Sequence, residues 1–286
     1  MIVSRLIGGL GNQMFQYAAG RALALRRGVA FAIDSRAFSD YDTHAFGMRC
    51  FQAELNEAPA RLLPNPPAEG RFQRLLRRFV PSPLTVYIEK TFTFDEAVLH
   101  LPDEQYLDGY WQSEKYFVDV ADVIRKDFTV RHTPSAANQA WLDQIARTHS
   151  VSLHIRRGDY VTNPSAAAVH GTCDLGYYER AVACVRETTG IDPELFVFSD
   201  DPDWVAANLR LPYQMHLVRD NDASTNFEDL RLMTACRHHI VANSSFSWWG
   251  AWLDARSDSI TVAPARWFAG DTPDARDLVP QRWTRV

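Results

Sequence analysis

The chain has 286 residues, 46% of them hydrophobic and 23% charged, which fits a soluble globular protein of one or two domains. Its net charge of −5 argues against general nucleic-acid binding, which needs a basic face to neutralise phosphates. The four cysteines, Cys50, Cys173, Cys184 and Cys236, form no CxxC and no zinc-type grouping with histidine. No apolar run approaches the ~18 residues of a membrane span, and a strand begins directly at Ile2. A reduced, cytoplasmic protein without its own anchor is expected.

Residues 2–7 read as a strand, followed by the turn Gly8-Gly9-Leu10-Gly11-Asn12-Gln13 and a helix. Phe15, Ala18, Ala19 and Ala22 form the apolar stripe of that helix, at i, i+3, i+4 and i+7. Arg26 and Arg27 suit its C-terminal dipole and Gly28 its cap. Residues 29–33 read as a second strand and 106–111 as another strand end. Residues 62–83, rich in Pro and Arg, interrupt the pattern. A junction is expected within 131–150, dividing the chain into domains 1–149 and 150–286. From Val151 the alternation is clean. Strands are expected at 151–155, 195–199, 214–218, 239–242 and 260–263, with helices at 179–187, from 201, at 226–236 and at 247–253. Such alternation implies a parallel, doubly wound sheet.

Several segments carry chemistry, each with a plainer alternative. Gly9-Leu10-Gly11 after a strand, with Asp34 ending the next, imitates a dinucleotide fingerprint, but Met14 stands where the third glycine would close helix on sheet, which opposes NAD. The loop still offers backbone N–H groups at a helix N-terminus, with Asn12 and Gln13 able to donate or accept. The alternative is a tight turn that needs glycine. In His154-Ile155-Arg156-Arg157-Gly158-Asp159-Tyr160, two guanidiniums follow a buried strand. They suit a phosphate or carboxylate ligand, or else an Arg–carboxylate pair that holds a loop. Asp200, Asp201 and Asp203 could form a metal clamp, but Asp201 as N-cap with Pro202 at N1 is preferred. Asn226 and Asp229 have capping-box spacing. Asn243-Ser244-Ser245-Phe246-Ser247 before a helix reads as a phosphate cradle or as serine capping. Trp248, Trp249 and Trp252 read as core packing. Arg71, Arg74, Arg77 and Arg78 read as a solvated helix face, with contact to anionic lipid as the alternative.

Gly8-Gly9-Leu10-Gly11-Asn12-Gln13-Met14-Phe15-Gln16, His154–Tyr160, Phe198-Ser199-Asp200-Asp201 and Asn243-Ser244-Ser245-Phe246-Ser247-Trp248-Trp249-Gly250 occur in that order. In this the chain resembles the α1,2-fucosyltransferases of glycosyltransferase family 11. The resemblance implies a GT-B-like α/β fold of two facing Rossmann-type domains. The N-terminal domain would serve the acceptor and the C-terminal domain would bind GDP-fucose, with the last segment a candidate to pack back on the first domain. It further implies inverting transfer of L-fucose to the 2-hydroxyl of a terminal β-galactoside, on a glycan or lipid-linked oligosaccharide, without metal or other cofactor. A cytoplasmic place at the inner membrane face would follow.

By the same resemblance, Arg156 binds the donor β-phosphate and His154 lies against the guanosine. Asp229 contacts guanine, which displaces its capping role in part. Ser244 and Ser245 approach the diphosphate, flanked by Asn243 and Phe246, with Gly11 in the glycine loop. Asn12 sits at the reacting centre, and Asp159 is the nearest general base by motif position. A departing phosphate acting as its own base would need none. Transfer of another GDP-sugar, or nucleotide binding without catalysis, are the alternatives.

Overall fold

The computed structural model describes residues 1–39, 44–64, 84–158, 171–270 and 272–286. The 71–78 arginine segment and Asp159 lie outside the described residues. The chain divides into two compact units, Met1–Thr129 and Val130–Val286. The division falls ahead of the 149/150 boundary read from the sequence. The reason is a helix at Ala136–Arg147 that packs against a later helix of the second unit. Among the described residues no helix is long and apolar enough to cross a membrane.

The first unit contains β1 (Ile2–Arg5), α1 (Leu10–Arg27), β2 (Phe31–Asp34), β3 (Thr85–Ile88), β4 (Gln105–Asp108) and α2 (Ala121–Asp127). Its sheet has the order β2-β1-β4-β3, all parallel. The chain leaves β1 for one neighbour and later returns to its other side, so the order reverses between β1 and β4. The expected stripe of α1 is buried, and so is Met14. Gly20 makes the close approach to the sheet instead: a Cβ there would collide with Ser4 of β1 and Phe31 of β2. Gly28 ends the helix in the left-handed region (φ 65°), and Arg26 in the last turn pairs with Asp119.

The second unit contains α3 (Ala136–Arg147), β5 (Ser150–Ile155), α4 (Leu175–Thr189), β6 (Glu194–Ser199), α5 (Pro202–Asn208) and β7 (Met215–Leu217). It continues with α6 (Asn226–Ala235), β8 (His238–Ile240), α7 (Ser245–Trp252), β9 (Thr261–Ala263) and β10 (Thr284–Arg285). All strands are parallel, in the order β10-β9-β8-β5-β6-β7. Counted from β5, this is the doubly wound 3-2-1-4-5-6 order, which reverses between β5 and β8. Every residue of β5 is buried, as its apolar run requires. Tyr177, Ala181 and Val185 of α4 cover Val151, Leu153 and Leu195 on one face, while Ile145, Leu232 and Met233 cover Phe196 and Phe198 on the other.

Trp248, Trp249 and Trp252 are fully buried, and Trp283 packs on Trp248 at 5.4 Å between ring centroids. Trp248 Nε1 donates to Leu278 O at 2.9 Å. Within the second unit the last segment wraps these tryptophans and adds β10 to β9.

Candidate functional site

Ligands of doubly wound sheets bind beyond the carboxyl ends of the strands, where the strand order reverses. In the second unit that point lies between β5 and β8. Leu153 pairs with Ile240, so the segments ending in Arg156 and Asn243 leave neighbouring strands together. His154 and Phe246 confirm the approach, with ring centroids 5.9 Å apart.

Arg156 Nη1 donates to Asp200 Oδ2 at 2.9 Å. Asp200 Oδ1 accepts the Arg157 backbone N–H at 2.9 Å. Arg157 Nε donates to Asp201 Oδ2 at 3.2 Å, and its guanidinium lies 3.7 Å from the Trp204 ring centroid. The loop-holding Arg–carboxylate pair foreseen as the plainer reading is thus present. It holds Arg157 mainly, while Arg156 keeps a solvent-accessible flank of 27%. Asp201 Oδ1 caps α5 through Trp204 N at 3.2 Å, and Asp203 pairs with Arg219 at 2.8 Å. Each aspartate of the supposed metal clamp is tied to an arginine. Among the described residues no three His, Cys, Asp or Glu side chains are grouped as metal ligands.

His154 is 5% exposed, and its Nδ1 is buried without a hydrogen-bond partner. Burial, assisted by the Arg156 charge, pushes its pKa down to about 3. It is a neutral ring with one buried nitrogen left without a partner.

Ser244 is the N-cap of α7, its Oγ accepting Phe246 N at 3.3 Å. Serine capping is present, with Ser244 buried and Ser245 in the first turn half-buried. Asn243 departs from expectation. Its Nδ2 donates to Gly171 O and Trp267 O, both at 3.2 Å, and its Oδ1 receives the Cys173 thiol at 3.5 Å. Its side chain braces the surrounding loops.

Asp229 lies in the first turn of α6, but the cap of α6 is Thr225, without a side-chain cap bond, and the Asn226–Asp229 capping box does not form. Asp222 holds the preceding turn instead, accepting from Ser224 N at 2.8 Å and Thr225 N at 3.1 Å. Asp229 Oδ1 accepts Asn221 Nδ2 at 2.7 Å. Burial pushes Asp229 up to about 6, opposed by the Asn221 bond and assisted by Asp220 and Glu228.

In the first unit, Asn12 sits at the N-terminus of α1, and its Oδ1 accepts Gln112 Nε2 at 2.7 Å. Gln112 follows β4, so the bond spans the reversal point of this sheet. Glu89 accepts the N–H groups of Tyr110 at 2.7 Å and Trp111 at 3.0 Å, which holds Trp111 at φ 55° just before Gln112. Gln13 does not face a ligand. It is fully buried, donating to Gly8 O at 2.8 Å and Ala45 O at 3.0 Å and accepting Gly47 N at 2.9 Å. Sequence reasoning missed Asp200 as the partner of Arg156, Asn221 and Gln112. The only available signal was their place just beyond strand ends.

The glycosyl transferase family 11 model matches residues 90–285. The chain is 33% identical, over 303 aligned residues, to an α-1,2-colitosyltransferase of Escherichia coli, covering 100% of this chain and 99% of that protein. It is 30% identical to the O-antigen biosynthesis glycosyltransferase WbnK of Escherichia coli, covering 94% of this chain and 95% of that one. Galactoside α-(1,2)-fucosyltransferase 2 of Oryctolagus cuniculus is 26% identical, covering 93% of this chain and 70% of the relative. Among solved structures, a mutant of Arabidopsis thaliana FUT1 in complex with GDP is similar at a TM-score of 0.52 and 11% identity, covering 99% of this chain and 75% of that one. At that identity the likeness is one of fold.

Proposed function

The chain belongs to glycosyltransferase family 11, and on that premise we propose that it transfers L-fucose from GDP-fucose to the 2-hydroxyl of a terminal β-galactoside, with inversion. What carries the reading is the reversal point of the second unit, where Arg156 and the N-terminus of α7 leave adjacent strands. Departure of GDP builds negative charge on the β-phosphate. A guanidinium already held by Asp200 stabilises that charge without reorganising, more in the transition state than before it. The α7 N-terminus adds its oriented dipole and the first-turn N–H of Ser245, the Ser244 N–H being donated to Ala242 O at 2.8 Å. The Asp229 carboxylate accepts from the N1–H and N2–H edge of guanine, an edge adenine lacks. Asn12 supplies an amide donor at the reacting centre. Arginine and helix dipole do the work a metal does elsewhere, so no metal is required. Asp159 remains the candidate base by motif position, and the departing phosphate is the alternative.

A second reading has its own support in the full-length likeness to the colitosyltransferase. Colitose is fucose without the 3-hydroxyl. A site that hydrogen-bonds that hydroxyl rejects the deoxy sugar by roughly 10⁴-fold, whereas an apolar site accepts both. Turnover of GDP-fucose and GDP-colitose by the purified protein, with a β-galactoside acceptor, separates the two. A glycan carried on lipid, met at the cytoplasmic face of the membrane, is the proposed acceptor form. Transfer to lactose but not to a galactose-terminated lipid-linked oligosaccharide would reject that part.

A further inference from the structure

Asp229 is not held by its own helix. Its Oδ1 accepts Asn221 Nδ2 at 2.7 Å, and Asn221 forms a reciprocal amide pair with Asn138 of α3, at 2.8 Å from Asn138 Nδ2 to Asn221 Oδ1 and 3.0 Å in return. Asn138 is 3% exposed, and Ser135, the N-cap of α3, accepts from both its backbone N at 3.2 Å and its Nδ2 at 3.1 Å.

Every hydrogen in this chain is assigned. The two N–H bonds of Asn221 go to Asn138 Oδ1 and Asp229 Oδ1, and the two of Asn138 go to Asn221 Oδ1 and Ser135 Oγ. Reversing the Asn221 amide would set oxygen against the Asp229 carboxylate, so both amides have one orientation. Asp229 Oδ2 has no partner among the described residues. A carboxylate meets the parallel N1–H and N2–H of guanine only when its plane is turned to them. Asn221 fixes that plane, and Asn138, one of the two buried residues of α3, fixes Asn221.

We propose that Asn221 and Asn138 are positioning residues that aim Asp229 at the guanine edge and thereby set the base selectivity of the nucleotide site. The inference rests on the assignment of Asp229 to guanine made above. Capping and packing of α3 alone would not require the amide pair to reach Asp229, and would leave base selectivity untouched when the pair is cut.

The test is calorimetric titration with GDP, IDP and ADP, where IDP lacks only the exocyclic amine of guanine. The native protein binds GDP above IDP and IDP above ADP. Asn221→Leu weakens GDP about tenfold while changing IDP less, so the GDP/IDP ratio collapses. The donor KM rises with it, and kcat at saturating donor holds within about twofold. Asn138→Leu moves both quantities the same way by a smaller factor. Should that variant fail to fold, Asn221→Leu and Asn221→Asp decide, because Asn221 is only half-buried. Asn221→Asp sets a second carboxylate against Asp229 and should bind GDP more weakly than Asn221→Leu. A folded Asn221→Leu protein with the native GDP/IDP ratio overturns the proposal. Native protein that binds GDP and ADP alike overturns the guanine assignment itself, a result distinguishable because it needs no variant.

Discussion

Arg156 and Asp200 form an ion pair of 2.9 Å at the carboxyl ends of adjacent strands β5 and β6, and the same carboxylate takes the next residue's backbone N–H. Gly158 lies so close that a Cβ there would collide with it. The aspartate thereby fixes both the direction of the guanidinium and the path of the loop that carries it.

Arg156→Ala should lower kcat by roughly 10²–10³, the cost of one preorganised donor to a developing anion. Arg156→Lys should also fail substantially, since an ammonium cannot bond the phosphate and Asp200 with one planar fork. Asp200→Ala removes the carboxylate that holds the guanidinium at 2.9 Å and should cost about tenfold. Circular dichroism and melting must match the native protein before rates are compared, because β5 is central.

If Asp229 reads guanine as proposed, GDP binding should depend on pH. The reading oxygens must then be ionised, and burial pushes this carboxyl up to about 6. GDP affinity should be flat above about pH 7 and fall about tenfold for each unit below 6. Asp229→Asn should bind weakly with no slope in this window. The unliganded fold responds in the opposite sense. A carboxyl pushed up in the folded state holds its proton more tightly there than when unfolded. By itself it therefore adds stability as pH falls through about 6. Calorimetric titration across pH 5 to 8, beside urea unfolding, checks both signs.

The elements that sequence reading reached are those whose pattern is local. Apolar β5, the alanine stripe of α1 and the Asp201-Pro202 start of α5 are each dictated within a few residues. Edge strand β3 was missed because Thr85, Val86 and Ile88 are exposed and leave no buried face to read. The capping box at Asn226 failed because Asp222 had already organised the turn before α6. Asn243 looked like a ligand group but is consumed by carbonyls 72 and 24 residues away. The partners that orient the site, Asp200 for Arg156, Asn221 for Asp229 and Gln112 for Asn12, come from other strand ends. No spacing rule connects them to the motif they serve.

Ser152, His239 and Asp254 form a hydroxyl–imidazole–carboxylate row, with 3.0 Å from Ser152 Oγ to Nδ1 and 2.9 Å from Nε2 to Asp254 Oδ2. His239 is 0% exposed, so the row is structural rather than nucleophilic. Burial pushes His239 down, and Asp254 is held below the usual carboxylate range by hydrogen bonds from His239 and Arg256, against the opposing effect of burial. Both shifts cost stability in acid. The His239 contribution is lost as pH falls below the ordinary imidazole value of 6.5, and the Asp254 contribution as pH falls below the ordinary 3.8. Ser152→Ala should lower unfolding stability by about 1–3 kcal/mol and leave turnover unchanged. A lost turnover in a stable Ser152→Ala protein would refute the structural assignment.

Gln112 should act through Asn12. By donating to Asn12 Oδ1 it turns the Asn12 N–H₂ toward the glycine loop, so Asn12 offers a donor. Gln112→Leu should lower kcat about tenfold with GDP affinity intact, and have no further effect in an Asn12→Ala background. Additive losses in the double variant would separate the two residues.

If Arg156 carries the charge work as proposed, activity should survive EDTA. Loss with EDTA and recovery on adding Mn²⁺ would return Asp200, Asp201 and Asp203 to a metal role.

The most direct measurement is the reaction itself. The purified protein is incubated with GDP-fucose and with GDP-colitose beside UDP- and ADP-sugars, using a β-galactoside acceptor, and the product linkage is mapped. The account predicts release of GDP and an α1,2-linked 6-deoxy sugar on galactose, from a GDP-linked donor only. A product from a UDP- or ADP-sugar, or sugar placed on a hydroxyl other than the galactose 2-hydroxyl, would contradict it.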